Sequence, residues 1–233
     1  MRLRREKHDT ALMRKMFHMV APCYDLFTRL FSYGRDGAWK REAVRRAPLP
    51  EDALVLDLAC GTGDFSKLIL LRKPGARLVA LDLTFAMLRL AQSGGVSRAV
   101  CGNAMLLPFR DETFDSVFVG YGLRSFPELE AALREIRRVM RPGGLLVSLD
   151  FFLPRQRGLR WLYLAWLYAQ GAFWGMLLHA SPRVYTYIPD SLRTFVSADE
   201  FFELLGHAGY QPIAERRFVL GGIGLQWASK KDG

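Results

Sequence analysis

The sequence predicts an α/β fold: a mostly parallel sheet of seven strands with helices on both faces, ending in an antiparallel hairpin. Three observations carry this. Short apolar runs alternate with segments of helical period between residues 53 and 150, as expected for parallel strands joined by crossover helices. The first run stops at a glycine turn, VLDLACGTGDFS, and restarts with helical spacing at Phe65, Leu68 and Ile69. Late in the chain, the runs 211–219 and 223–229 are joined by Leu-Gly-Gly, which reads as a hairpin.

Each element follows from local pattern. Met13, Met16, Phe17, Met19 and Val20 mark an amphipathic helix before the first strand. Strands are expected at 53–59, 77–82, 97–101, 114–119 and 145–150, with helices at about 64–71, 84–92 and 128–140, the last closed by the turn residues RPGG. A further helix at 198–207 precedes the hairpin. The segment LRWLYLAWLYAQGAFWGMLLHA, residues 159–180, breaks the alternation. It is long enough to cross a bilayer, but Arg160, Gln170, two glycines and His179 interrupt it. Its tryptophans and tyrosines are spread throughout instead of banded at the ends, so an aromatic lid or interfacial helix is expected. The resulting division is a helical cap over 1–48 and a sheet domain over 49–233, with an aromatic lid insertion at about 155–195.

The chain has 233 residues, half of them hydrophobic, enough for one sizeable core. Its formal charge is +10, and residues 1–46 hold twelve Lys or Arg against five Asp or Glu, or +7 of it. A basic arm of this kind suits an anionic lipid surface; a solvated helix face is the plainer alternative. Nucleic acid is not expected, because no base-flipping motif or second basic element accompanies the arm. Cys23, Cys60 and Cys101 are odd in number, far apart and without metal-ligand spacing, which fits a reducing compartment and no metal site. The first residues are charged and read as no secretory signal. The expected location is cytoplasmic, at most peripheral on the inner face of the membrane.

Open α/β sheets bind nucleotides at a glycine turn, where the backbone approaches the ligand and a helix N-terminus offers free N–H groups. A dinucleotide fingerprint needs a third glycine where this chain has Ser66. S-adenosylmethionine has no pyrophosphate and requires instead a close backbone passage beside its amino-acid moiety, a need that Asp57, Ala59, Gly61 and Gly63 suit. The second strand ends LVALDL, and Asp82 there can accept hydrogen bonds from both ribose hydroxyls. Asp82 can equally cap the helix that begins near Thr84. A parallel sheet ending in a hairpin is also the habit of methyltransferases that use S-adenosylmethionine, so the fold expected is the Rossmann-like class I methyltransferase fold.

The segments MFHMVAPCYDLFTRLFSYGRDGAWKR, LDLACGTGDFS, LDLTFAMLRLA, LLPFRDETFDSVFVGYGLRSF, ALREIRRVMRPGG, YTYIPDSLRTF and GGIGLQW cover nearly the whole chain. Together they resemble the ubiquinone and menaquinone biosynthesis C-methyltransferases. The resemblance implies methylation of a ring carbon of demethylmenaquinol or a related prenylated hydroquinone, with S-adenosylmethionine as donor. It places Gly61 and Gly63 at the methionine end of the cofactor, Asp82 at the ribose, Asn103 and Ala104 at the adenine, and Leu83 and Tyr121 in the same site. Tyr24 would close over the reacting methyl, with Asp25 to orient it. Asn103 stands where the family more usually has aspartate, and Ser125 where it has asparagine. Arg124, in YGLR, cannot act as a base while protonated, but it can stabilise a phenolate or order a water that takes the proton. Tyr185 and Tyr187 are candidates for holding the ring oxygens, or else aromatic packing residues. A homodimer is compatible with the sequence. The alternatives are a methyltransferase for another small molecule, a dehydrogenase, and a non-catalytic cofactor-binding member of a membrane assembly.

Overall fold

The computed structural model describes residues 10–231. Three helices open it: α1 (Thr10–Val20), α2 (Tyr24–Phe31) and α3 (Asp36–Arg46). Strand and helix then alternate through β1 (Leu54–Leu58), α4 (Asp64–Arg72), β2 (Arg77–Asp82), α5 (Phe85–Ser93), β3 (Ala99–Cys101), β4 (Phe114–Gly120), α6 (Leu129–Val139) and β5 (Met140–Phe151). The long helix α7 (Arg157–His179), the short α8 (Tyr187–Leu192) and α9 (Ala198–His207) lead to β6 (Tyr210–Phe218) and β7 (Ile223–Lys230). The sheet order is β3-β2-β1-β4-β5-β7-β6. Strands β1 to β5 pair in parallel, β7 runs antiparallel to β5, and β6 antiparallel to β7, as the sequence predicts.

Strands covered on both faces must be apolar throughout. In β1 successive residues feed opposite cores: Val55 joins Trp39, Phe65, Phe118 and Trp227 on one face, while Leu56 and Leu58 join Val117, Ile136 and Phe201 on the other. Helix α6 buries Ala132, Leu133, Ile136 and Val139, one stripe of a 3.6-residue period.

A third cluster lies above the carboxyl ends of the strands. Val20, Phe27 and Phe31 from the opening helices pack against Tyr163 and Leu167 of α7 and against Tyr185, Ile188 and Leu192. The cap is thus assembled from two segments more than a hundred residues apart. The glycines that interrupt α7 have a packing reason. A Cβ at Gly175 would lie 2.5 Å from the carbonyl oxygen of Ser181, and one at Gly171 would lie 3.0 Å from that of Tyr185, so the returning chain presses on the helix backbone.

Three expectations shift. Helix α3 sends Trp39, Ala43 and Val44 into the sheet core, so the opening helices are divided between cap and sheet. The third strand shortens to Ala99–Cys101. The RPGG segment is the beginning of β5, with the register broken between Phe114 and Ser116 of its neighbour and Gly143 at φ +69°.

Candidate active site

The carboxyl ends of β1, β2 and β4 meet beneath the cap. The chain leaves β1 at Ala59, φ +55°, and β4 at Tyr121, φ +58°. Neither residue is glycine, and such backbone costs about 1–2 kcal/mol each, so packing must hold both turns. They touch one another: a Cβ at Gly122 would lie 2.7 Å from that of Ala59.

Between these strand ends and the cap runs a cleft of about 750 Å³, partly open to solvent. Tyr24, Ala59, Gly61, Asp82, Leu83, Asn103, Ala104 and Tyr121 all line it. Gly63 does not. Its φ is +83°, and its Cα faces Val96 and Ala91, where a Cβ would come within 3.0 and 3.2 Å; it lets α4 start close against the α5 region. Asp57 also lies off this cleft. Its Oδ2 accepts from the backbone N–H of Ser66 at 2.9 Å and from the Ser66 hydroxyl at 2.6 Å, fixing the first turn of α4. Burial pushes the Asp57 carboxyl up to about 7 against the opposing pull of those bonds.

Asp82 fills the helix-capping role and also braces the glycine turn. Its Oδ1 accepts from the N–H of Thr84 at 2.8 Å, closing the turn into α5, and its Oδ2 accepts from the N–H of Gly61 at 2.9 Å, joining β2 to the glycine turn. Asp82 is 8 % exposed and lines the cleft. Burial raises its pKa, which the three backbone N–H groups around it oppose. Asn103 is exposed at the rim, with Oδ1 accepting from the N–H of Met105 at 3.0 Å. Ser125 lines the cleft with its Oγ buried and without a hydrogen-bond partner.

A second, narrow cavity adjoins the first under the cap, with about 340 Å³ of empty space including its opening to solvent. Tyr24 and Tyr121 line both, and Phe27, Phe31, Phe151, Arg124 and Tyr187 complete most of its wall. Arg124 is 3 % exposed. Its Nη1 donates to Asp150 Oδ1 at 2.6 Å and to the Tyr121 carbonyl at 2.8 Å, while Nε is buried without a partner. Burial works to discharge the guanidinium, but the Asp150 carboxylate, together with Tyr187 and Tyr24, outweighs that effect and raises the pKa, so Arg124 stays charged. Burial raises Tyr24 and Tyr187, with Arg124 opposing in each case.

Tyr185 is a correction. It lines neither cavity; its ring stacks on Phe27 at 3.6 Å and 1°, and its hydroxyl meets His179 Nε2 at 2.9 Å. Asp25 does not reach Tyr24 but accepts from the Thr62 hydroxyl at 2.5 Å, tying α2 to the glycine turn.

Sequence reasoning misses a charge network. The Tyr121 hydroxyl donates to Asp36 Oδ1 at 2.7 Å, and Lys40 Nζ bridges Asp36 at 2.7 Å and Asp64 at 2.8 Å. Asp36 and Lys40 stand at the i, i+4 spacing of an ordinary solvated pair, which hides them. Asp150 is missed too, although it ends a buried apolar strand as Asp82 does.

A sequence model described as the "ubiE/COQ5 methyltransferase family" matches residues 4–230. The chain belongs to the ubiE/COQ5 methyltransferase family. Among its relatives, a protein named demethylmenaquinone methyltransferase from Lactiplantibacillus plantarum is 33 % identical over 225 residues, covering 93 % of this chain and 94 % of the relative. A "ubiquinone/menaquinone biosynthesis C-methyltransferase UbiE" from Desulfotalea psychrophila is 34 % identical, covering 94 % and 90 %. In fold the chain is similar to a SAM-dependent methyltransferase from Thermotoga maritima, with a TM-score of 0.65 at 20 % identity over 92 % of this chain and all of that one.

This member of the ubiE/COQ5 family is therefore an S-adenosylmethionine-dependent methyltransferase of the class I fold. The cleft fits that cofactor: a carboxylate at its wall ends β2, a left-handed glycine turn passes beside it, and the buried hydroxyl of Ser125, which lines it, lacks a partner.

Proposed function

We propose that this enzyme methylates a ring carbon of a prenylated hydroquinone such as demethylmenaquinol. The observation that carries the reading is the second cavity. It is aromatic, it shares Tyr24 and Tyr121 with the cofactor cleft, and its wall includes a buried guanidinium whose Nε has no partner. The names of the relatives point the same way.

The roles divide along those two shared tyrosines. Gly61, Asp82, Leu83, Asn103 and Ala104 hold the cofactor, with Asp82 accepting from the ribose hydroxyls. When bound, S-adenosylmethionine supplies an activated methyl on a sulfonium. The protein must then hold a nucleophilic carbon in line with it. A hydroquinone carbon becomes nucleophilic as a neighbouring hydroxyl loses its proton, and Arg124 stabilises the developing phenolate through Nε while Asp150 fixes its plane. Tyr187 flanks the guanidinium, its ring 5.9 Å from Arg124 Cζ. Tyr24 separates the methyl from solvent. Incubating the protein with labelled S-adenosylmethionine and a naphthohydroquinone bearing a short isoprenyl chain should give the ring-methylated product by mass spectrometry. Cofactor binding without any methylated product would overturn this reading. Ser125, with an unpartnered hydroxyl in place of the family's asparagine, favours one second reading, a differently substituted small-molecule ring, and a panel of hydroquinones and phenols distinguishes the two.

The prenyl chain calls for a source, and we propose that the enzyme collects it at an anionic membrane surface. No described helix is long and apolar enough to cross a membrane. Yet α7 turns Trp161, Leu162, Phe173, Met176 and Leu177 to solvent, carries no acidic or basic residue other than histidine after Arg160, and has exposed Arg155, Arg157 and Arg183 near its ends. An apolar face flanked by arginines suits the boundary between acyl chains and anionic headgroups. Vesicle binding should require anionic lipid and weaken with salt; equal binding to neutral vesicles at all salt concentrations would remove the electrostatic part.

A further inference from the structure

Arg124 can stabilise a phenolate, but a guanidinium that stays charged cannot receive the hydroxyl proton. Among the described residues in the wall of the ring cavity, the structure offers one buried carboxylate that is not committed to Arg124. Asp36 is 6 % exposed and lines that cavity together with Tyr121, whose hydroxyl donates to it at 2.7 Å. Its other oxygen faces Lys40, which is shared with Asp64. Two carboxylates thus share one ammonium, a trio of net charge −1 that becomes neutral if Asp36 takes a proton. The Asp64 side chain is 37 % exposed, so the trio reaches from the cavity wall to solvent.

We propose that Tyr121 and Asp36 form the proton-accepting path of the methyl transfer: the substrate hydroxyl passes its proton to the Tyr121 oxygen as Tyr121 passes its own to Asp36. This rests on the reading of the substrate as a ring hydroxyl compound. The balance is closed. As the carbon–carbon bond to the methyl forms and the carbon–sulfur bond breaks, the substrate O–H proton arrives on Asp36, leaving Tyr121 a neutral phenol. The hydrogen displaced from the methylated carbon then restores the ring hydroxyl, and Asp36 releases its proton to water. Burial holds Tyr121 far from ionising by itself, so the relay is concerted rather than stepwise. Tyr121 is the catalytic residue of the pair, since it borders both cavities; Asp36 acts through it. The other charged and titratable groups facing this pair are Lys40 from the same helix, Asp64 from α4, Tyr24 from α2, and Asp150 with Arg124 across the cavity.

The test is single-turnover methylation of the isoprenyl naphthohydroquinone, with saturating S-adenosylmethionine, as a function of pH. Asp36→Asn keeps an acceptor for Tyr121 but cannot take a proton. It should react on the order of a hundredfold slower near neutral pH. Its rate should climb about tenfold per pH unit toward the ionisation of the free substrate, whereas the wild-type rate stays flat over that range. Tyr121→Phe, which keeps the ring and loses only the hydroxyl, should show the same climb, and it decides the matter if Asp36→Asn does not fold. A merely structural role would lower both rates without changing the shape of the profile. Either folded variant reacting within twofold of wild type, or with a wild-type profile, overturns the relay. Absence of turnover by the wild-type protein would instead refute the substrate reading.

Discussion

The two halves of the site are built in different ways. The proposed cofactor half consists of strand ends and the turns that follow them: Ala59, Gly61, Asp82, Leu83, Asn103 and Ala104 lie within 46 consecutive residues and present backbone and one short carboxylate to the cleft. The proposed ring half is assembled from α2, α3, the turn after β4, the end of β5 and α8, and it is lined by long side chains in a buried charge network. The first depends on local backbone geometry, the second on tertiary packing. Substitutions should therefore fail differently in the two halves.

The largest expected effect lies in the ring half. Asp150 is fully buried against Arg124, and Asp150→Asn would leave that guanidinium without its counter-charge. Denaturant unfolding should show a loss of about 3–5 kcal/mol; a loss below about 1 kcal/mol would mean that the pair does not organise the cavity. In the cofactor half Gly63→Ala combines a left-handed backbone with a Cβ 3.0 Å from Val96, and about 2 kcal/mol of stability should go. Calorimetry should show that folded Gly63→Ala still binds S-adenosylmethionine, because Gly63 faces α5 and not the cleft.

Asp57 gives the comparison a pH axis. Its folded pKa, about 7, lies above the unfolded value of about 3.9. The folded state therefore holds a proton that the unfolded state has lost, and the stability this confers is complete below about pH 4 and gone above about pH 7. Between about pH 5 and 6 the wild type should lose about 1.4 kcal/mol per pH unit relative to Asp57→Asn, measured as parallel unfolding titrations. Equal slopes would show that the Ser66 bonds keep Asp57 ionised. The smallest effect is a gain: Ala59→Gly relieves a left-handed alanine and should stabilise the fold by about 1 kcal/mol.

The same contrast explains what the sequence shows. The sheet, its closing hairpin, the glycine turn and the acid at the end of β2 are written as local periodicity and turn chemistry, so each is legible in the order of the residues alone. Tyr185 and Tyr187 are not separable in that way. They stand two residues apart, yet one stacks on Phe27 while the other begins α8 and lines the ring cavity. Only the packing of α2 against α7 decides between them. Asp36 and Lys40 look like any surface pair until α3 is seen to lie against the sheet core. Even Gly63, correctly read as part of the turn, serves helix packing, because a spacing gives no direction for the missing Cβ.

The division between a cofactor half and a ring half is tested most directly by Arg124→Lys, which keeps the charge and loses the planar fork. Cofactor affinity by calorimetry and single-turnover methylation are measured on one preparation, with Asp82→Ala as the reciprocal case. Arg124→Lys should bind S-adenosylmethionine like the wild type and methylate on the order of a hundredfold more slowly, about 2.7 kcal/mol of barrier. Asp82→Ala should lose about 1.5–3 kcal/mol of cofactor affinity. Undiminished methylation by folded Arg124→Lys, or loss of cofactor binding in that variant, would contradict the account.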